Sequence, residues 1–359
     1  MSQKPNNTNL SYSFGFLLKL IKGEKGLQMP QNWTTLIIAA VAVSLAGLLL
    51  WKKKKHSFVK VGKISKLYFF PVKSLRGMEV THGKCTKIGF EVNGLLDRSF
   101  MLVDSKGVLI SQREAPNLAL LTLKIDGRNL IVTSPSGKIL KIEIRESVAS
   151  SDSIIECWIH TERIEGVDCG EEAAAFFRSH TNLPDICLVR YFPSLPKREF
   201  VKNKEFFRKL RNENPVGFPD LAPFHIMSQP TIDDLNSKLE DQKVSVLNFR
   251  PNILVEGCKP YEEDAWRYIK FRSGALMCNL ILVTRCILTT NDPFTGILTK
   301  KEPLVTLRKY RIPKDPEMLE KTGSIPCLGI ACGVRQTGDL SVGDDIFAVI
   351  VPQPKMNVK

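Results

Sequence analysis

Histidine is scarce in this sequence, with five in 359 residues, at positions 56, 82, 160, 180 and 225, and none stands in a hydrolase signature. No GxSxG elbow is present, so a serine triad has no anchor point. No GxGxxG or Walker A pattern occurs, which removes the main support for a Rossmann or P-loop nucleotide site. The nine cysteines are an odd number and none forms a CxxC pair. Cys327 and Cys332 come nearest, at a spacing that suits neither a zinc knuckle nor a thioredoxin motif. A disulfide framework is thereby disfavoured, and a reducing compartment such as the cytosol is favoured. Internal repeats and low-complexity tracts are missing too. At 43% hydrophobic and 25% charged residues, the composition is that of a globular protein.

Acidic charge is in deficit. Lysine and arginine number 51 against 37 acids, a net +14, concentrated at 52–66 and 197–211. Such runs are solvated faces in many proteins. They also suit an anionic cofactor, an acidic protein or lipid headgroups. Nucleic acid is disfavoured, because no helix-turn-helix, zinc-finger or RNP signature accompanies the charge.

One segment carries no charge at all. "WTTLIIAAVAVSLAGLLLW" (33–51) is long enough to cross a bilayer and has tryptophan at each end. "KKKK" (52–55) follows directly. A cleaved signal peptide would instead carry its charge ahead of the apolar run. A single transmembrane signal anchor over 33–51 is expected, after an unassigned segment 1–32, with the rest of the chain in the cytosol. The endoplasmic reticulum and the mitochondrial outer membrane are both compatible with such an anchor.

Past the anchor the pattern is mixed α/β and rich in β-structure. Strands are expected at 63–72, 98–104, 107–112, 119–125, 129–134 and 138–144, with turn residues at the corners. Further strands are expected at 249–257, 266–274, 278–290 and 344–351. Helices are expected at 170–180 and at 231–241, the second opened by Ser228 or Thr231. Many short strands with few helices argue for barrel-like units, with domains over 56–195 and 215–352.

Within "VTRCILTTNDPFTG" (283–296), Cys286 follows Arg285 at a strand end. A thiol in that place is a small packing residue, a nucleophile or a soft-metal ligand. No histidine signature supports a cysteine hydrolase. Lys73 and Ser74 in "FPVKS", Arg98 in "LLDRS", Asp220 and Leu221 in "FPDLAP" and Arg250 and Asn252 in "NFRPN" also sit at strand ends or tight turns. Loops at strand ends present ligand-facing groups, and lysine with arginine there suits a phosphate.

"YFFPVKSLRG" (68–77), "EVNGLLDRSFMLVD" (91–104), "FPDLAPFHIMS" (218–228), "NFRPNILVEGCKPYEEDAW" (248–266), "TRCILTTNDPFTG" (284–296), "EPLVTLRKYR" (302–311) and "VGD" (342–344) together resemble the MOSC family, in particular the mitochondrial amidoxime reducing components. The resemblance implies an N-terminal β-barrel module followed by a MOSC β-barrel domain, and a molybdenum cofactor. It implies Cys286 as the thiolate on molybdenum. It places Lys73, Ser74, Arg98, Asp220, Leu221, Arg250, Thr284 and Arg285 around the pterin and its phosphate, with Asn252 and Ser228 as further candidates and Asp292 near the substrate. The implied reaction is two-electron reduction of N-hydroxylated compounds such as amidoximes. Its electrons would come from NADH through cytochrome b5 reductase and cytochrome b5, at the mitochondrial outer membrane. A non-catalytic cofactor carrier is the alternative. A sulfurase would need an aminotransferase-like domain for which the chain has no room.

Overall fold

The computed structural model describes residues 57–357, apart from 201–209, 211 and 241. The expected anchor at 33–51 and the segment 1–32 lie outside the described residues. Among the described residues, no helix is long and apolar enough to cross a membrane.

A closed barrel of seven strands dominates. Its members are Val59–Phe69, Phe224–Ser228, Ile253–Glu256, Trp266–Phe271, Leu276–Thr284, Cys327–Gln336 and Asp345–Ile350. Val59–Phe69 closes the ring by pairing antiparallel with Asp345–Ile350 on one side and Ile253–Glu256 on the other, in the register Lys63 to Glu256 and Leu67 to Ile253. Closure leaves the ring no unpaired edge. One neighbouring pair is parallel, Phe224–Ser228 with Ile253–Glu256. Parallel neighbours need a long crossover, and the helix Gln229–Lys238 lies on it. The barrel interior is filled by side chains including Leu67, Phe69, Trp266, Ile330 and Ile346, all 1% exposed or less. Phe69, Phe90 and Phe224 form a chain of rings with centroids 6.1 and 6.0 Å apart. Each such buried ring contributes roughly 2–3 kcal/mol.

A second sheet runs in the order Ile154–Ile159, Glu162–Asp168, Ile186–Arg190, Phe100–Asp104, Leu109–Ile110, with Glu199–Phe200 attached to Glu162–Asp168. An isolated bridge from Val108 to Trp158 links its two ends. The meander at 119–144 forms as Thr122–Asp126, Asn129–Thr133 and Ile139–Glu143. The helix at 170–180 forms as Glu171–Thr181 and buries Ala173, Ala174, Phe176 and Phe177.

Three expectations change. The strand expected over 278–290 ends at Thr284. Beyond it the chain turns into a 3-10 helix, Ile287–Thr290, because the Thr289 N–H and hydroxyl donate to the Cys286 carbonyl at 3.1 and 2.9 Å. Threonine hydroxyls bonded to nearby carbonyls compete with the sheet ladder. The strand Cys327–Gln336, buried at eight of its ten positions, has no counterpart in the sequence reading. The helix expected at 231–241 begins two residues earlier, and Ser228 is its cap, accepting from the Thr231 N–H at 3.3 Å.

That cap corrects a candidate. Ser228 is fully buried, and its hydroxyl donates to the Glu263 carboxylate at 2.9 Å, away from the cleft described below. Burial, with the neighbouring Asp264 charge, raises the Glu263 pKa from 4.5 to about 7. The folded state then holds this proton more tightly than the unfolded chain. The stabilisation is full below about pH 4.5 and is lost as pH rises towards 7. Thermal unfolding of Glu263→Gln is expected to lack that decline between pH 4.5 and 7, measured as the difference from wild type.

Candidate functional site

All nine cysteines lie among the described residues, and Cys286 is the exposed one. Burial pushes the thiols of Cys85 and Cys157 up to about 12, which makes them inert at neutral pH. Exposure removes the packing explanation for Cys286. Its residue follows the last strand position, Thr284, and is held there by the Arg285 N–H donating to the Pro326 carbonyl at 2.8 Å.

Cys286 stands on a cleft of about 330 Å³. The sequence halves meet there. Lys73, Ser74 and Arg98 enter from one, and Asp220, Leu221, Arg250, Asn252, Thr284 and Arg285 from the other. Asp292 does not line it. Its carboxylate accepts from the Phe294 and Thr295 N–H groups at 2.7 and 3.1 Å and shapes the turn 291–298.

Among the described non-glycine residues, eight have positive φ, and four of these line the cleft: Ser74 at 70°, Arg98 at 51°, His160 at 57° and Arg250 at 59°. Left-handed backbone at such residues costs about 1–3 kcal/mol each, and it collects at functional sites. The packing that enforces it is visible at Arg98. Its N–H donates to the Phe70 carbonyl at 2.7 Å, and Asp97 accepts from the Phe70 N–H at 2.8 Å. Arg98 and Arg250 both place their guanidinium carbons over the Phe70 ring, 4.6 and 4.4 Å from its centroid.

The electrostatics are lopsided. Lys73, Arg98, Arg113, Arg250 and Arg285 line the cleft against one carboxylate, Asp220. Asp97 adds a second beneath Arg98, to which it is bonded. Burial lowers the Lys73 pKa to about 8, although Asp220 at 2.6 Å and the Phe218 carbonyl at 2.9 Å hold its charge in place. For Asp220 burial pulls upward, but Lys73, Arg198 and His160 outweigh it and keep the carboxyl well below its usual range. Arg250 is pushed down to about 9 by burial and by Arg98. Its Nη2 is buried with no hydrogen-bond partner. Arg285 donates to the Leu328 and Phe249 carbonyls at 2.9 and 3.2 Å and to His225 Nε2 at 2.7 Å, so the acceptors around it are uncharged. A cleft with surplus cations and an orphaned guanidinium N–H suits an anion with several oxygens.

Asn252 takes a supporting part. Its side-chain oxygen accepts from the His225 N–H at 3.2 Å and its amide donates to the Tyr68 carbonyl at 3.4 Å, tying strands together.

Gln112, Arg113, His160, His225 and Asn248 also line the cleft, beyond the residues that the motifs marked. Arg113 Nη2 donates to Cys286 Sγ at 3.3 Å. Gln112 donates to the Ser74 carbonyl at 2.6 Å. A local signal existed for these two. In "SQRE" (111–114) the Ser-x-x-Glu spacing marks a tight reciprocal turn, and Glu114 does accept from the Ser111 N–H and hydroxyl at 2.9 and 2.8 Å. No comparable signal marks His160 or Asn248.

A cationic cleft beside an exposed thiol, at the mouth of a seven-stranded barrel, narrows the class of protein, and comparison with known families agrees. Residues 61–182 match the MOSC N-terminal beta barrel domain and 213–347 the MOSC domain. The mitochondrial amidoxime-reducing component 1 of Mus musculus is 31% identical over 93% of this chain and 96% of its own length. Component 2 of Rattus norvegicus is 32% identical over 90% and 95%, and component 1 of Homo sapiens 31% over 89% and 94%. The chain belongs to the MOSC-domain family of the mitochondrial amidoxime-reducing components.

Proposed function

We propose that this protein is a molybdenum-cofactor-dependent reductase of N-hydroxylated compounds, anchored by residues 33–51 in the mitochondrial outer membrane. The observation that carries the reading is the joint placement of an exposed thiol, Cys286, and a surplus of cations over carboxylates on one cleft. The relatives' names, which state amidoxime reduction and mitochondrial location, support it.

The residues present fit a pterin-held molybdenum. Thiolate sulfur is a suitable donor for such a metal. Arg250, with its unpartnered Nη2, and Lys73, Arg98 and Arg285 would hold the phosphate and the pterin edge. Ser74, Leu221 and Thr284 would complete the contacts from strand ends whose backbone is already fixed. When bound, the group supplies the redox-active metal that accepts two electrons and passes them to substrate. The chain orients the substrate and provides protons at the cleft mouth. Electrons arrive from NADH through cytochrome b5 reductase and cytochrome b5. The surplus of 51 basic over 37 acidic residues suits docking of an acidic electron carrier.

Two measurements test the reading. Protein purified from a host that makes the cofactor is expected to contain stoichiometric molybdenum. With reconstituted cytochrome b5 and its reductase, it is expected to convert benzamidoxime to benzamidine. Absence of molybdenum would sink the proposal. Molybdenum without turnover would leave a cofactor carrier.

A further inference from the structure

Reduction of an amidoxime breaks an N–O bond and consumes two electrons and two protons, leaving an amidine N–H and water. The electrons come from the one-electron carrier protein named above. The protons must pass through a side chain that exchanges with solvent and also faces the cleft. Resting on the reductase reading, we infer that His160 is that group, donating one proton to the oxygen as it leaves nitrogen and, after solvent reprotonates the ring, the second to the amidine nitrogen.

The other cleft residues are unsuited to the task. His225 is only partly exposed, and its Nε2 accepts from Arg285 at 2.7 Å. Burial and the Arg285 charge hold it neutral, so it cannot carry a second proton. Lys73 is 5% exposed and committed to Asp220 and the Phe218 carbonyl. Asp220 stays ionised. The four arginines hold their protons too tightly to release them at neutral pH. His160 alone among the described lining residues combines a titrating ring with exposure, its side chain keeping 55% of its surface.

Its backbone singles it out as well. His160 is the first of two residues joining Ile154–Ile159 to Glu162–Asp168, where Ile159 pairs with Glu162. Its φ of 57° is one that asparagine or glycine ordinarily supplies in a two-residue hairpin. A histidine there breaks the local rule and aims a ring at the cleft, the kind of violation that collects at working sites. Asp220 Oδ1 lies 3.8 Å from His160 Nε2 and steadies the protonated ring. Burial is the largest influence on the ring and lowers its pKa. Asp220 opposes that, while Lys73, Arg113 and Arg198 reinforce it. A weakened hold on the proton makes the charged ring a stronger acid, with a smaller protonated fraction at neutral pH.

The test is made on the full holoenzyme with benzamidoxime. His160→Asn keeps a residue that tolerates positive φ and removes the titrating ring. It is expected to lower kcat about 100-fold with KM changed less than about threefold. The wild-type kcat is expected to decline with rising pH at a midpoint below about 6.5. The variant should be flat there. His160→Gly, which accepts the same turn, is expected to regain activity with added imidazole. A readout independent of turnover is the ring's own titration by NMR, identified by its disappearance in the variant. Saturating benzamidoxime without an electron donor is expected to move that midpoint. A variant matching wild type in kcat and pH profile, or an unmoved midpoint, overturns the inference and leaves the reductase reading standing. A wild-type enzyme that reduces no benzamidoxime ends both.

Discussion

Cys286→Ala is expected to abolish benzamidoxime turnover, with a loss of more than about 1000-fold, equivalent to at least about 4 kcal/mol of transition-state stabilisation. Steady-state kinetics with cytochrome b5 measure it. With both proteins cofactor-free, the thermal midpoint should stay within about 1 °C of wild type. Cys286 is exposed, so its truncation opens no internal cavity, and surface substitutions seldom exceed about 0.5 kcal/mol. The same change at a buried cysteine such as Cys332, 0% exposed, would destabilise the barrel instead. Molybdenum content of the variant should fall along with activity. Full activity in Cys286→Ala would remove the thiolate from the mechanism.

Gly329→Ala is expected to be the most damaging single-methyl change in the cleft's support. Gly329 has φ of 73° and lies in Cys327–Gln336, beside Phe224–Ser228. An added Cβ would come within 2.5 Å of Met227 Cγ, 2.7 Å of His225 Nε2 and 2.8 Å of the Ile226 carbonyl oxygen. Met227 can shift, but a strand carbonyl inside a closed ring cannot. Crowding of this kind costs about 1–3 kcal/mol and the left-handed backbone about 1–2 more. The thermal midpoint should fall by on the order of 10 °C. His225 would be displaced from Arg285, so cofactor retention should fall as well. A melting curve and metal analysis of the variant decide the matter, and a midpoint unchanged from wild type refutes it.

The lining of the cleft was legible in short motifs because strand ends are locally encoded. Lys73, Arg98, Arg250 and Cys286 each stand where β-branched or aromatic runs meet a turn, and that pattern survives in sequence. The meander at 119–144 was legible for the same reason, its turns carrying Gly127 and Gly137. Cys327–Gln336 was not. "CLGIACGVRQ" has two glycines and no strict alternation, and its ladder with Leu276–Thr284 shifts register three times. Such a strand exists because a ring of neighbours demands it, not because its residues prefer it. His160 stayed hidden, and so did the approach of Arg113 to Cys286, for a related reason. They belong to turns whose relation to Cys286 is set by the assembled sheets, over separations of 126 and 173 residues for the pairs His160 with Cys286 and Arg113 with Cys286. The N-terminal anchor, read from apolar length and flanking lysines, lies outside the described residues.

The way the ring closes has a bearing on biosynthesis. Val59–Phe69 is among the earliest staves to leave the ribosome, yet its two partners are Ile253–Glu256 and Asp345–Ile350. Asp345 comes 276 residues after Phe69. The first stave therefore waits while all of that chain is made before it can be clasped on both sides. Through that interval its backbone groups are open to foreign strands, which makes the nascent chain a customer for holdase chaperones.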